Sequence, residues 1–208
     1  MTDIKSWLKD QQKNTKLKRL DLELLLLGAL NIESSNIESS NIESKKFQRS
    51  WLFSHDDETL SEPLLKKLTQ WVDQAQSGKP IAYILGHKAF WTLDLLVTQD
   101  TLIPRPETEQ IIELTLGLAT RPQRILDLGT GTGAIALSLA KEYPNSEVMA
   151  CDFSQAALNI AQQNAVKNLI TNVSFFHSDW FTGISEHEQF DLIVSNPPYN
   201  DKKEKKLK

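Results

Sequence analysis

The chain has 208 residues, of which 40% are hydrophobic and 24% charged, a composition that excludes collagen-like, coiled-coil and wholly disordered proteins. The net charge is −4, but residues 201–208 hold five lysines and two acids, so residues 1–200 carry −7, which disfavours direct nucleic-acid binding. The longest apolar run, Leu24–Leu30, is too short to span a membrane, and the N-terminus has no secretory signal, so we expect a cytoplasmic protein without membrane contact.

Two helices are predicted near the N-terminus, and we expect residues 1–78 to form a small helical domain. Leucines at helical spacing indicate the first helix over residues 16–30, and an apolar face indicates the second over Pro63–Gln76. Between them, the sequence Asn-Ile-Glu-Ser recurs every five residues over residues 31–45. A period of five suits neither a helix nor a strand, so this insertion is predicted to be a low-complexity loop.

The pattern changes after residue 78. Short strands at Phe90-Trp91 and Leu93–Thr98 predict a β-hairpin within a linker over residues 79–106. The remaining residues, 107–208, are predicted to form a second domain that begins with a helix over Glu107–Ala119.

Strands and helices then alternate with short connections. The predicted strands are Arg124–Leu128, Glu147–Cys151, Val173–His177 and Phe190–Ser195, and the predicted helices between them are Ala134–Glu142 and Ser154–Lys167. This alternation is typical of an α/β fold in which helices cover both faces of a parallel sheet.

A glycine-rich loop follows the first of these strands. The segment Asp127-Leu128-Gly129-Thr130-Gly131-Thr132-Gly133-Ala134 closes the strand and opens a helix, where glycines allow a sharp turn and a close approach to bare main chain. Asp152 ends the next strand, 19 residues after Gly133, where a carboxylate can accept hydrogen bonds from both ribose hydroxyls. The loop and the acid together predict a nucleoside ligand.

The loop alone does not name that nucleoside, because its spacing also satisfies the dinucleotide fingerprint and leaves NAD open. Asp127 lies just before the glycines. A carboxylate there suits the ammonium group of an amino-acid moiety better than a pyrophosphate, which favours S-adenosylmethionine.

The last predicted strand delivers Asn196-Pro197-Pro198-Tyr199 to the carboxyl edge of the sheet, where ligands of such folds bind. An amide nitrogen is a weak nucleophile because its lone pair is delocalised. The Asn196 side-chain oxygen and the Pro197 carbonyl can each accept one of its hydrogens, and the prolines fix the backbone in advance. The ring of Tyr199 can stack on a planar substrate.

A second polar pair follows the third strand. Asp179 can accept a hydrogen bond from an adenine amino group, and Trp180 can pack on the ring or, in the alternative, within the core. The four histidines show no metal-binding spacing, and the single cysteine, Cys151, excludes a multi-cysteine site, so no metal is expected.

These motifs resemble those of the protein-(glutamine-N5) methyltransferases of peptide chain release factors, the PrmC/HemK family. The resemblance covers nearly all of residues 1–200 and includes Pro80–Gly86, Leu102–Glu109, the glycine loop and the Asn-Pro-Pro-Tyr tetrad. The stretch Ile-Pro-Arg-Pro-Glu-Thr-Glu is the most diagnostic, because nucleic-acid adenine methyltransferases share the tetrad but lack it.

The resemblance implies a Rossmann-like, S-adenosylmethionine-dependent enzyme that methylates the glutamine of the Gly-Gly-Gln motif in release factors. By motif, Gly129–Gly133, Asp152, Trp180 and Asn196 would bind the cofactor, and Asn196–Tyr199 the glutamine. The helical domain would grip the release factor. Only four strands are counted, and residues 201–208 do not match the family's continuation, so we expect a truncated product with an incomplete sheet and little activity.

Two other functions stay open at this point. The tetrad also serves adenine-N6 methyltransferases of DNA or RNA, which need a flipped base and a basic groove. A chain that has lost C-terminal strands could also bind S-adenosylmethionine without catalysis.

Overall fold

The computed structural model describes residues 2–37 and 47–197, with side chains for all of these except residues 35–37. Two compact units divide the chain, one ending at Leu85 and the other beginning at Gly86. The first unit is built from helices and the second is α/β.

The described part of the first unit contains five helices. They are α1 (Ile4–Asn14), α2 (Arg19–Ile37), α3 (Arg49–Ser54), α4 (Glu62–Gln76) and α5 (Ile81–Leu85). Side-chain caps start two of them: Asp3 accepts from the Ser6 amide before α1, and Ser61 accepts from the Leu64 amide before α4. Leucines of α1, α2 and α4 form the core of this unit.

Part of the repeat is helical, and the prediction of a loop over residues 31–45 is wrong for residues 31–37, which continue α2. Side-chain contacts with distant residues stabilise this extension. The amide of Asn31 pairs with both the N–H and the carbonyl of Phe47 (2.6 and 3.4 Å), and Glu33 accepts from the Ser61 hydroxyl at 2.6 Å. The rest of the repeat lies outside the described residues.

The second unit begins with an antiparallel hairpin of β1 (His87–Phe90) and β2 (Leu93–Leu96). Within the predicted linker, residues 79–106, the structure thus contains the hairpin and also helix α5. A short 3-10 helix, Pro106–Thr108, leads into α6 (Glu109–Leu116), which ends three residues earlier than predicted because the chain caps at Gly117.

Among the described residues, four parallel strands form the main sheet, in the order β5-β4-β3-β6. The elements that follow α6 are β3 (Arg124–Leu128), α7 (Ala134–Glu142), β4 (Glu147–Asp152), α8 (Gln155–Lys167), β5 (Val173–His177) and β6 (Leu192–Ser195). The chain runs outward from β3 to β5 and returns to place β6 on the other side of β3. The α/β prediction is confirmed, with a helical unit before the sheet.

The strand β6 begins two residues later than predicted, at Leu192. The carboxylate of Asp191 accepts hydrogen bonds from the backbone amides of Gln123 (2.7 Å) and Arg124 (2.9 Å). Asp191 therefore fixes the entry of β6 beside the start of β3 through its side chain, in a bend before the strand ladder begins.

Candidate functional site

The strand order brings two predicted motifs to the same edge of the sheet. Leu128 at the end of β3 pairs with Ser195 at the end of β6, and the Ser195 hydroxyl donates to the Leu128 carbonyl at 2.8 Å. Gly129 and Asn196 directly follow the two strands in the chain. This is the switch in strand order at which open α/β sheets bind ligands.

The three glycines of the loop have positive φ angles of 73°, 57° and 80° at Gly129, Gly131 and Gly133. A Cβ atom at Gly129 or Gly131 would meet nothing within 4 Å, so the main chain there is open to a ligand. At Gly133 a Cβ atom would lie 3.2 Å from that of Ala161. The first two glycines therefore leave room for a ligand, and the third allows α7 and α8 to pack closely.

Asp152, at the end of β4, holds the glycine loop in place. One carboxylate oxygen accepts from the Gly131 amide at 2.8 Å and the other from the Ser154 amide at 2.9 Å. Each oxygen has a second lone pair, and the side chain is only partly buried on the wall of a cavity. The carboxylate can thus accept further hydrogen bonds from a ligand.

Asp127 lies beneath the loop and is buried. Its Oδ2 accepts from the Thr130 hydroxyl (2.7 Å) and from the Ala136 amide (3.2 Å), whereas its buried Oδ1 has no hydrogen-bond partner among the described residues. Burial raises the pKa of Asp127 to about 6, although these two hydrogen bonds lower it and the charge of Asp152 adds to the rise. An unpaired buried carboxylate oxygen suits a positively charged donor such as an ammonium group.

Seven of the predicted site residues line one cavity of about 310 Å³. They are Gly129, Gly131, Asp152, Asp179, Trp180, Asn196 and Pro197. The lining of this cavity does not include Asp127, Thr130, Thr132 or Gly133. Asp127 lies beneath the loop, the two threonines line a smaller recess, and Gly133 caps α7. Pro198 and Tyr199 lie outside the described residues.

Trp180 belongs to the wall of this cavity and not to the core. Its side chain is 54% exposed, and its backbone has a φ of 52°, which is unfavourable for a residue with a bulky side chain. The Ser178 hydroxyl donates to the Trp180 carbonyl at 2.7 Å and stabilises this conformation. The preceding residue, Asp179, lines the same cavity.

Asn196 is held by a residue far away in the sequence. Its Nδ2 donates to the hydroxyl of Thr108 at 2.9 Å, so its Oδ1 is not needed for this contact. Asn196 also lines a smaller recess of about 60 Å³ together with Thr108, Arg105 and part of the glycine loop.

Sequence reasoning did not identify several cavity residues. Phe153, 71% exposed, follows Asp152, and Leu102, 55% exposed, precedes the Ile-Pro-Arg-Pro-Glu-Thr-Glu stretch. The signal for Phe153 was its position directly after Asp152, the strand-end acid that the sequence predicts to bind a nucleoside. Thr108 lies in a motif for which the residues themselves gave no role.

Neither a metal centre nor a membrane span is found in residues 2–37 and 47–197. No three histidine, cysteine or acidic side chains there are grouped as metal ligands would be, and none of the helices is both long and apolar enough to cross a bilayer.

Comparison with known proteins matches each unit to a family model. Residues 5–86 match the family model of the PrmC N-terminal domain, and residues 112–208 match that of the methyltransferase small domain. The release factor glutamine methyltransferase of Xylella fastidiosa strain 9a5c is 42% identical over 186 residues. The chain belongs to the release factor glutamine methyltransferase family. The predicted resemblance is thereby confirmed.

The family relatives are longer than this chain. The Xylella fastidiosa alignment covers 88% of this chain and 62% of that protein, and the one with the Escherichia coli K12 enzyme, 42% identical, covers 76% and 57%. The Aliivibrio fischeri enzyme is 46% identical, with coverage of 74% and 54%.

Solved structures show more limited likeness. The ribosomal protein L11 methylase of Lactobacillus delbrueckii is 27% identical with a TM-score of 0.39, and the alignment covers 45% of this chain and 47% of that one. The Pyrococcus abyssi tRNA (uracil-54, C5)-methyltransferase is 18% identical with a TM-score of 0.44, covering 54% and 28%.

Proposed function

We propose that this chain transfers the methyl group of S-adenosylmethionine to the side-chain amide nitrogen of the glutamine in the Gly-Gly-Gln motif of release factors. One observation carries the proposal: Asn196 and Pro197 line the same cavity as Gly129, Gly131 and Asp152. A predicted acceptor for an amide thus lies beside a predicted nucleoside site. Family membership supports the same reaction and the same protein partner.

The residues at the edge of the sheet orient the substrate nitrogen. Because Nδ2 of Asn196 donates to Thr108, its Oδ1 can accept one hydrogen of the glutamine amide. The Pro197 carbonyl accepts the other, and this pairing favours localisation of the nitrogen lone pair. Proline fixes its own φ and restricts Asn196 before it, so the two acceptors are set before the substrate arrives.

The cavity residues fit the methyl donor, which supplies an activated methyl group on its sulfonium. Asp152 would accept from the ribose hydroxyls, and the bare main chain at Gly129 and Gly131 would lie along the ligand. The Oδ1 of Asp127, which has no partner in the described part of the chain, would receive the ammonium group, directly or through a water. Asp179 and Trp180 would hold the adenine.

Two measurements on the purified 208-residue chain test this function. Calorimetric titration with S-adenosylmethionine should show one site, and a single-turnover assay with excess enzyme should add one methyl group to the release factor. Excess enzyme is used so that a single round of methyl transfer can be followed. A release factor with its Gly-Gly-Gln glutamine replaced by alanine should stay unmodified. Methylation of that variant would contradict the proposed target.

A matched pair of asparagine substitutions isolates the acceptor. Asn196→Ala should abolish methyl transfer and leave cofactor affinity within about threefold, because the substrate loses a transition-state contact. Asn159→Ala on the exposed face of α8 should change neither quantity. Residual transfer near the wild-type rate in Asn196→Ala would contradict the acceptor role.

The same experiments separate the alternatives. Cofactor binding without any methyl transfer would indicate a binding protein. Salt-sensitive retardation of DNA or RNA in a gel, with methylated adenine as product, would indicate an adenine methyltransferase, which the −7 charge of residues 1–200 disfavours. Action in the cytoplasm, without direct nucleic-acid contact, is part of the proposal.

A further inference from the structure

The side-chain amide of Asn196 has two chemically opposite ends, and only its oxygen can accept a hydrogen bond from a substrate NH₂ group. The two ends have nearly the same shape, so the cavity alone does not select between them. A partner that accepts from the nitrogen end leaves the oxygen end for the substrate. Thr108 is in contact with the nitrogen end: its hydroxyl oxygen lies 2.9 Å from Asn196 Nδ2.

The Thr108 hydroxyl is held rigidly. Its residue ends the 3-10 helix Pro106–Thr108, its backbone amide donates to the Arg105 carbonyl at 3.0 Å, and its side chain is 8% exposed. Proline fixes the backbone at the start of this turn, and the β-branched threonine side chain has few rotamers. The hydroxyl therefore stays in place without any ligand.

The next element fixes this turn against the rest of its unit. Glu109, the first residue of α6, accepts from the backbone amide of Trp91 at 2.8 Å. Trp91 in turn donates from its indole N–H to Glu142 on α7 at 2.8 Å. The hydroxyl of Thr108 is thus tied through short contacts to the helix that follows the glycine loop.

The hydroxyl of a second buried threonine, Thr115, makes the local hydrogen bond that is common for threonines in helices. Thr115 on α6 is 4% exposed, and its hydroxyl donates to the Ile111 carbonyl one turn earlier in the same helix at 2.8 Å. That bond satisfies a buried hydroxyl locally. The contact of Thr108 instead joins residues 88 positions apart and ends on the group that faces the cavity.

We propose that Thr108 is a positioning residue that accepts from Asn196 Nδ2 and so directs Asn196 Oδ1 toward the substrate nitrogen. The inference rests on the proposed function, because the oxygen has a substrate to meet only if that function holds. Without the Thr108 hydroxyl, the side-chain amide of Asn196 can rotate by half a turn and present its NH₂ group to the NH₂ group of the substrate. The nitrogen would then lose one of its two acceptors.

The orientation of the amide can be measured without turnover. In the full chain labelled with ¹⁵N-asparagine, the Asn196 NH₂ signals are those missing from Asn196→Asp. We expect Thr108→Val, which removes the hydroxyl and keeps the shape, to shift these signals and speed their exchange with water. Thr108→Ser should restore them, and Thr115→Val, the matched control, should leave them unchanged. Unchanged Asn196 signals in Thr108→Val would overturn the proposal.

Kinetics give a second, separate readout. Thr108→Val should lower the single-turnover rate about tenfold, the usual worth of one such hydrogen bond, and Thr108→Ser should recover most of it. Cofactor affinity in both variants should stay within about twofold of the wild type. A wild-type chain that transfers no methyl group would refute the proposed function, whereas the NMR comparison would still decide the position of the amide. Equal rates in Thr108→Val and wild type would overturn the positioning role.

Discussion

The side chain of Asn164 pairs with the backbone of Leu96 as a neighbouring strand would. Its Oδ1 accepts from the Leu96 amide at 2.6 Å, and its Nδ2 donates to the Leu96 carbonyl at 3.1 Å and to the Thr132 carbonyl at 2.9 Å. One turn later, at the C-terminal cap of α8, Asn168 makes the same pair of bonds with Asp94 at 3.2 Å each. Asn164 therefore joins the hairpin to the glycine loop.

The two asparagines fit the strand because of matching distances. Four residues of a helix rise by about 6 Å, and two residues of a strand by about 6.6 Å. Side-chain amides four residues apart, on α8 and at its C-terminal cap, can thus reach alternate backbone positions on β2. This arrangement satisfies polar groups at a place where the described strands of the main sheet do not reach the hairpin.

Removal of the Asn164 amide should destabilise the second unit. We expect Asn164→Ala to lower its free energy of unfolding by about 3 kcal/mol, because three backbone groups of Leu96 and Thr132 lose their partner. Hydrogen exchange of the α8 amides measures this loss. Asn159→Ala, on the exposed face of the same helix, should change it by less than about 0.5 kcal/mol. Equal effects of the two substitutions would show that the bridge contributes nothing.

Local sequence signals predicted much of the second unit. The strands Arg124–Leu128 and Val173–His177 and the helix Ala134–Glu142 have the predicted bounds. Each is an apolar segment bounded by glycine, proline or polar residues, and the cap at Ser154, whose hydroxyl accepts from the Ala157 amide, fixes the start of α8. Because parallel strands end at the same edge, their order in the chain also predicted that Gly129 and Asn196 would meet.

Contacts between distant residues explain what the sequence did not predict. The helical part of the repeat depends on contact between Asn31 and Phe47, and the role proposed for Thr108 depends on its contact with Asn196. Neither pair has a local signature, because helix propensity is weak and a side-chain hydrogen bond leaves no periodic pattern. The helices α1 and α3 were missed for a related reason: they are short, and tertiary packing stabilises them.

The buried carboxylate of Asp127 should make stability fall as pH rises. Its pKa is raised to about 6 in the folded chain, against 3.8 for an ordinary aspartate, so the folded state binds the proton more tightly. The stabilising contribution is full below pH 3.8 and is lost as pH passes through 6. We expect the free energy of unfolding of wild type relative to Asp127→Asn to decrease by about 3 kcal/mol over this window.

Urea unfolding of both proteins at closely spaced pH values from 3.5 to about 7 measures this difference, since other titrating groups cancel in the comparison. A ligand with an ammonium group, at saturating concentration, should reverse part of this fall in stability with rising pH, because the ammonium stabilises the charged carboxylate of Asp127. A difference that stays constant with pH would mean that Asp127 titrates alike in the folded and unfolded chain.

The buried carboxylate of Glu23 on α2 should show the opposite trend. Burial alone raises the pKa of Glu23, but hydrogen bonds from Arg19 (2.8 Å) and Arg49 (2.6 Å) outweigh it, and the net pKa lies below 4.5. Its contribution is therefore present above pH 4.5 and is lost as pH falls through the lowered pKa.

We expect Glu23→Gln to lower the stability of the first unit by about 1–2 kcal/mol at pH 7, because the two charge-assisted bonds weaken while both arginines can still reach water. Exchange of the α2 amide hydrogens at pH 7 and at low pH checks this. The difference in stability between Glu23→Gln and the wild type should disappear at low pH. A gap that widens there would contradict the sign of the pKa shift.

Two tryptophans share a φ of 52° and should respond differently to glycine, which tolerates that angle. Trp91 hydrogen-bonds Glu142 and packs against the core, so Trp91→Gly should cost about 3 kcal/mol of stability. Trp180→Gly should change stability by less than about 1 kcal/mol, because relief of backbone strain offsets the greater freedom of the unfolded chain.

The same Trp180→Gly substitution should weaken S-adenosylmethionine binding about tenfold, because it removes the exposed ring on the cavity wall that we propose stacks on the adenine. Calorimetric titration measures the affinity, and urea unfolding of the same sample measures the stability. Trp180→Phe, which keeps a stacking ring, should retain most of the affinity. Full affinity in Trp180→Gly would place the adenine elsewhere in the cavity, because the loss of a stacking surface cannot leave a stacked base bound equally well.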